Sequence, residues 1–356
     1  MSHALGLGRR GLGACWPNPA VGCVIVRDDR IVGRGWTRPG GRPHAETVAL
    51  AEAGEAARGA TAYVTLEPCA HQGKTPPCAD ALIRAGIARV VAPLEDSDPR
   101  VSGLGFAKLR RAGVELTLGV FAEEAARDHA GFFLRVEQGR PYVTLKLASS
   151  FDGRIATATG ESQWISGPAA RRAVHGLRAS HDAVMVGAGT ARADNPALTV
   201  RGWGDVAQPV RVVVSRLIDV PLMSTLASTA REVPVWLVHG SEAPTTTRKA
   251  WASCGAKLIQ CAVRGGRIDA AALLAALGDA GLTRVFCEGG GQLAASLLSA
   301  DLVDEMVGFT AGMALGAEGR PGIGAMGVER LNEAPRFVLD ELRDVGGDIM
   351  HRWRRA

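Results

Sequence analysis

HAETVALAEAGEAARGATAYVTLEPCAHQGKTPPC, residues 44–78, passes from an alanine-rich helical run into a strand and then into a second helix start. Helical character runs from about His44 to Ala57, a strand lies at 62–66, and a further helix opens near Pro77, where two prolines pre-set its first turn. The stretch also carries one His, two Cys and an acid at chosen places. Positions i and i+2 do not share a helix face, so His44 and Glu46 can address one point only where the chain is entering the helix. Arg42-Pro43 directly before them fits such an entry. Cys69 ends the strand and Cys78 begins the next helix, whose N-terminus favours thiolate. A His and two Cys form the three-ligand set that holds zinc and leaves a fourth position open. A closed structural zinc would need a fourth ligand, for which Cys23 and His71 are the candidates, and it would leave Glu46 without a task.

Working outward, PNPAVGCVIVRDDRIVGRGW (17–36) reads as a hairpin: apolar runs at 21–26 and 31–35 flank Asp28-Asp29. Asn18, held between two prolines, is suited either to a ligand hydrogen bond or to an Asx turn. Residues 3–14 make a weak helix, because Gly6, Gly8, Gly11 and Gly13 each cost roughly 1 kcal/mol relative to Ala. Such a helix must borrow stability from packing; a start codon placed downstream of the true one would equally explain the weak opening. After residue 85 a strand (89–93), a helix (107–112), a strand (114–118) and a closing helix (122–136) continue an α/β order. Glu137–Pro141 reads as a linker. Beyond it lie a strand at 142–148, a polar loop, a helix at 168–178, strands at 183–186, 210–214, 235–238, 257–260 and 284–287, helices at 270–280 and 292–300, and a final hairpin within 335–356.

At 356 residues the chain is long enough for two domains. It has no apolar run of membrane-spanning length and no signal-peptide pattern at its start, and its seven scattered cysteines argue for a reducing compartment. We therefore expect a cytoplasmic protein without membrane partners. A net charge of +5 suits phosphorylated ligands or nucleic acid, or is ordinary surface charge. No basic-aromatic tract favours nucleic acid. In the second half, strand–Glu288-Gly289-Gly290-Gly291–helix is either a phosphate cradle at a helix N-terminus or a plain tight turn.

The order H-x-E, P-C, Cys resembles the zinc-deaminase signature, although eight residues separate the two Cys where nucleic-acid and cytidine deaminases carry two. PNPAVGCVIV, PHAE and TLEPCAHQGKTPPCADALI together resemble the pyrimidine deaminase of bacterial riboflavin biosynthesis. KLASSFDGRIA, GESQWIS, ADNPALTVR and CEGGGQLAASLL resemble the reductase that follows it. The resemblance implies a mixed α/β protein: a cytidine-deaminase-like three-layer domain over 1–139 and a dihydrofolate-reductase-like domain over 140–356. It implies zinc on His44, Cys69 and Cys78, Glu46 as the catalytic proton carrier, and Asn18 near the substrate. In the reductase it implies NADPH on Ala148, Trp164, Thr190, Asp194 and Gly290, Gly291, Gln292, Leu293, Ala294, Ala295 and Ser296. Substrate would meet Ser162, Arg178, Leu198, Arg201 and Glu288; the two arginines suit a phosphate, but read alone are surface charges. Lys146 and Asp152 fall nearby without an assigned role. The substrate implied is 2,5-diamino-6-ribosylamino-4(3H)-pyrimidinone 5′-phosphate, and a homo-oligomer is expected. One departure stands out: Ser215-Arg216 replaces the family's Asp-Ser, and Arg216 is a candidate for the 2′-phosphate of NADPH. Two rival readings are a deaminase of another base or of RNA fused to an unrelated nucleotide-binding domain, and a zinc-stabilised binding protein with a degenerate reductase half.

Overall fold

A computed structural model describes residues 1–72 and 76–356; residues 73–75, inside the loop between Cys69 and Cys78, lie outside the described residues. The chain divides into two compact units, Met1–Arg140 and Pro141–Ala356.

In the first unit α1 (Ser2–Gly8) precedes the hairpin β1 (Gly22–Arg27) and β2 (Arg30–Trp36). Then come α2 (Ala45–Ala53), β3 (Thr61–Val64), α3 (Cys78–Arg84), β4 (Arg89–Ala92), α4 (Leu104–Arg111), β5 (Glu115–Leu118) and α5 (Ala122–Gln138). Asp28 and Asp29 both take positive φ (48° and 58°), which the two-residue turn of a right-twisted hairpin requires. The sheet order is β2-β1-β3-β4-β5, with β3, β4 and β5 parallel. Alternation along β1 sends Cys23 and Ile25 into a core shared with Ala45 and Ala49 of α2 and Leu82 of α3. Val24 points the other way, onto Ala4 and Leu7 of α1. Helices therefore cover both faces, giving three layers.

The glycines decide how closely the helices lie. A Cβ at Gly22 would sit 1.9 Å from the Ala4 carbonyl oxygen, and one at Gly8 2.8 Å from that of Ala20. The glycine-rich opening is helical because those glycines are its contact surface on β1. On the other face a Cβ at Gly35 would sit 2.2 Å from the carbonyl oxygen of Ala45, the residue after His44. Gly35→Ala is therefore expected to push α2 off β2, to cost about 1–3 kcal/mol, and to slow deamination by displacing His44 and Glu46. Thermal melting and ammonia release check it; a full-rate, unshifted variant would contradict it.

Two expectations change at the unit boundary. Residues 137 and 138 belong to α5, and Gly139 (φ 68°) caps it by donating to the Arg135 carbonyl at 3.1 Å. The connection is thus shorter than the expected linker at 137–141.

The second unit holds a nine-stranded sheet. In chain order its strands and helices are β6 (Tyr142–Ser150), β7 (Arg154–Ala156), α6 (Pro168–Ala179), β8 (Ala183–Gly187), α7 (Ala188–Asp194), β9 (Val210–Val214), α8 (Thr225–Ser228), β10 (Val235–His239), α9 (Thr245–Ser253) and β11 (Lys257–Gln260). The hairpin β12 (Val263–Arg264) and β13 (Arg267–Ile268) follows, then α10 (Ala270–Asp279), β14 (Arg284–Gly289), α11 (Gly291–Ser299), β15 (Glu305–Ala311), β16 (Arg320–Pro321), β17 (Phe337–Asp344) and β18 (Ile349–Arg355). The order is β11-β10-β9-β8-β14-β6-β15-β18-β17, parallel from β11 to β15, with the C-terminal hairpin added antiparallel. The parallel strands are nearly continuous in burial, as strands covered on both faces must be. The sequence reading did not include β15, α7 or α9. Gly308 interrupts the apolar run of β15 because the His351 ring lies over it, 2.0 Å from where a Cβ would be.

Candidate active sites

In the first unit the parallel pairing of β3 and β4 sends both following loops to one edge of the sheet, where α/β folds bind ligands. The loop after β3 carries Glu67-Pro68-Cys69; α3 begins with Cys78. His44 is the extended residue (ψ 158°) just before α2, and Glu46 lies in that helix's first turn. His44 Nδ1 is 3.3 Å from Cys78 Sγ and 3.7 Å from Cys69 Sγ, and all three donor atoms lie within 4.8 Å of one another. Tetrahedral zinc, with Zn–N about 2.0 Å and Zn–S about 2.3 Å, separates such N and S atoms by roughly 3.6 Å. The donor set fits.

The electrostatics match the geometry. The Cys78 thiol and backbone N–H donate to Cys69 Sγ (the N–H at 3.3 Å), and with His44 they bring the Cys69 thiol down to about 4. The same contact raises Cys78. Glu46 is 4% exposed and is pushed up to about 6, first by burial and then by the Cys69 thiolate. Its carboxyl lies beside Cys78 and is not one of the three donors. Metal capture by this set takes both sulfurs as thiolates and releases protons. Removing metal with a chelator is expected to abolish ammonia release, and added zinc to restore it; activity that survives complete removal would contradict the assignment.

Asn18 donates from Nδ2 to the Gly41 carbonyl at 3.0 Å, tying its loop to the turn that leads into His44. Sequence reasoning missed an acidic cluster beside Cys69. Buried Glu67 accepts from the backbone N–H groups of Asp96, Gly103 and Phe106 at 3.0–3.1 Å, fixing the loop after β4. Asp96 is pushed up to about 6 by burial. His71 Nδ1 and Ser97 Oγ are buried with no hydrogen-bond partner among the described residues. The available signal was EDSDPR (95–100), an acidic turn directly after β4, at the ligand edge of the sheet.

In the second unit the ends of β6, β8, β9 and β14 share one edge, and a cleft of about 830 Å³ runs along it. Its wall includes Ser162, Thr190, Asp194, Gly290, Gly291, Gln292, Leu293, Ala295 and Ser296 of the expected set. Gly290 (φ 68°) precedes α11, and a side chain there would press on Thr190 Oγ1 at 3.2 Å. The Gly-rich turn and helix N-terminus thus form an open cradle that fits a pyrophosphate. Ala294 is not part of that wall: it is fully buried. Nor are half-buried Ala148 and Trp164, which is 65% exposed with Arg171 over its ring at 4.5 Å.

Of the expected substrate residues, Ser162 is in that wall, whereas Arg178, Leu198, Arg201 and Glu288 lie outside it. Arg178 donates to both Glu288 carboxylate oxygens (2.5 and 3.0 Å) and to the Thr199 carbonyl (2.8 Å). Arg201, exposed, is placed by its N–H donating to His175 Nδ1 at 3.2 Å. Leu198 is buried in the left-handed region (φ 54°), a strained conformation for Leu. Burial lowers Lys146, opposed by the charge of Glu288. Asp152 accepts from the Leu315 and Gly316 N–H groups and so braces a loop.

The family model of the RibD C-terminal domain matches residues 141–351, and that of the cytidine and deoxycytidylate deaminase zinc-binding region matches 1–94. The riboflavin biosynthesis protein RibD of Escherichia coli K12 is 41% identical, over 98% of this chain and 96% of its own. The chain belongs to the RibD family. Solved RibD relatives agree along the whole chain. The Acinetobacter baumannii RibD (form 1) superposes with a TM-score of 0.88 at 40% identity, over 100% of this chain and 97% of that one. The deaminase/reductase of Thermotoga maritima gives 0.87 at 32% identity, over the same shares. The units thus have the cytidine-deaminase-like and dihydrofolate-reductase-like folds expected. The family is bifunctional, a deaminase and a reductase of riboflavin biosynthesis, with zinc and NADPH as cofactors.

Proposed function

We propose that the first unit deaminates 2,5-diamino-6-ribosylamino-4(3H)-pyrimidinone 5′-phosphate and that the second then reduces its ribosyl group to ribityl with NADPH. The convergence of His44, Cys69 and Cys78 beside a buried, non-ligating Glu46 carries the reading. Bound zinc supplies a water acidic enough to be hydroxide near neutral pH. Glu46 takes the proton of the attacking water and passes it to the ring nitrogen and the leaving ammonia. Its burial keeps the carboxyl close to neutrality in pKa, which suits both halves of that transfer. Asn18, which gives one amide N–H to the Gly41 carbonyl, offers its carbonyl oxygen and its second N–H to the substrate ring.

In the second unit Thr190, Asp194, residues 290–293, Ala295 and Ser296 bind the cofactor, with Ala148 and Trp164 at its nicotinamide end. Ser162, Leu198, Arg201, Arg178 and Glu288 hold the substrate. Because Arg178 is spent on Glu288, exposed Arg201 is the phosphate partner and the Arg178–Glu288 pair faces the ribose. The substrate is a small pyrimidine, which leaves nucleic acid and membranes no part. No helix among the described residues is long and apolar enough to cross a membrane. Seven free cysteines suit the cytoplasm, and a homo-oligomer fits the reading. Incubation of the purified protein with this phosphate, following ammonia and NADPH absorbance, tests both steps: ammonia first, then NADPH consumption. NADPH oxidation without prior ammonia release would overturn the order.

A further inference from the structure

The cofactor cleft of the second unit differs at its two ends. Toward β9 and the β12–β13 hairpin its wall is an apolar slot of Val214, Leu217, Ile268 and Leu273. Three arginines, Arg192, Arg216 and Arg267, line this end of the cleft as well. Arg192 pairs with Asp219, and Arg216 with Glu242 at 2.5 Å. Arg267 has no carboxylate partner among the described residues, although its hairpin neighbour Arg264 pairs with Asp269. Gly265 and Gly266 (φ 57° and 74°) make the tight turn that presents Arg267 to the cleft.

Arg216 and the hairpin are coupled through one glycine. A Cβ at Gly240 would lie 2.7 Å from Val263 Cγ2 and 3.3 Å from Arg216 Cγ. The Gly240 N–H also donates to the Arg216 carbonyl at 2.9 Å. The Arg216 stem and the strand leading to Arg267 therefore pack over the same bare backbone, and both residues line the cleft at its slot end.

We propose that Arg216 and Arg267 clamp a phosphate monoester on the adenosine ribose, the group by which NADPH differs from NADH. The proposal rests on the reading that this cleft takes a nicotinamide dinucleotide. With the pyrophosphate on the Gly290 turn and the nicotinamide toward Lys146 and Glu288, the adenine must extend past β8 to the apolar slot. Its ribose then lies at the end of β9, where Arg216 stands. The Arg216–Glu242 pair is exposed and weak; a dianionic phosphate offers guanidinium a stronger, bidentate partner. Unpaired Arg267 needs no such exchange.

Titrating the full-length protein with NADPH and NADH, by quenching of intrinsic fluorescence, tests this, with 2′,5′-ADP and 5′-ADP as fragments. We expect Arg267→Ala to weaken NADPH and 2′,5′-ADP about tenfold or more and Arg216→Ala to act in the same direction. NADH and 5′-ADP should shift by less than about twofold, which also certifies that each variant is folded. Arg267→Lys should recover part of the loss. NADPH and NADH weakening alike, or neither changing, would overturn the clamp. Wild-type protein that binds NADH but gains nothing from the 2′-phosphate would overturn it too, with the dinucleotide cleft intact. Wild-type protein that binds neither dinucleotide would overturn the cleft reading itself.

Discussion

Glu46→Gln is expected to cut ammonia release by about 10²–10⁴-fold, the usual contribution of a positioned proton carrier, while the protein keeps its zinc. Glutamine has the same shape, and its amide N–H can donate to the Cys78 sulfur once that is a thiolate, so the buried site around α2 need not repack. His44, Cys69 and Cys78 are untouched, so metal content measured by atomic absorption should match the wild type. What glutamine lacks is a proton affinity near neutrality: it cannot take a proton from water and deliver it to the ring. NADPH oxidation with substrate that has already been deaminated should proceed at the wild-type rate. Loss of zinc along with activity would make Glu46 a structural support of the ligand set. Undiminished ammonia release would remove it from the reaction.

The first unit was legible in sequence because its chemistry is local. His44 and Glu46 are two residues apart, Cys69 and Cys78 nine, and each sits at an element end that Pro43, Pro68 or Pro77 marks. What escaped is set by distant backbone. Glu67 reads as part of the Glu-Pro-Cys run, yet its carboxylate works 29 to 39 residues away, on the N–H groups of Asp96, Gly103 and Phe106. Gly8 reads as a cost to a helix and Gly22 as one residue of an apolar strand run, whereas they are the surfaces on which α1 and β1 meet. In the second unit the strands with strong β-branched runs were found, but β15 was not. Its Gly308 makes room for a ring 43 residues later, a contact no local pattern announces. Arg178 and Glu288 both carried substrate roles by resemblance. That they are bonded to one another follows only from the placement of α6 against the end of β14, and it changes what each can do.

That pairing sets the other large expectation. Glu288 lies among cations: Arg178 is bonded to it through two parallel N–H···O contacts, and Lys146 adds its charge. The side chains of Arg178 and Glu288 are 12% and 10% exposed. Removing one partner of such a pair typically costs about 3–5 kcal/mol, because the other charge stays buried. Here the two deletions are unequal. Arg178→Ala leaves Glu288 with Lys146, whereas Glu288→Ala leaves two cations facing each other. We expect Glu288→Ala to be the more damaging, lowering the melting temperature of the second unit by roughly 6–20 °C, with Arg178→Ala at or below the lower end. Both should lose reduction of the deaminated substrate. Burial pushes the Glu288 carboxyl up, but Arg178 outweighs it and holds the group below its ordinary value. A carboxyl depressed in the folded state contributes its stability above the unfolded pKa and loses it as pH falls through the folded one. The pair is therefore fully stabilising at neutral pH, and Glu288→Gln should flatten the acid limb of a stability–pH profile below the usual carboxylate range. Calorimetry across pH on the three variants checks the ranking and the sign together. If Arg178→Ala proved the worse deletion, Lys146 would not be serving as the reserve partner of Glu288.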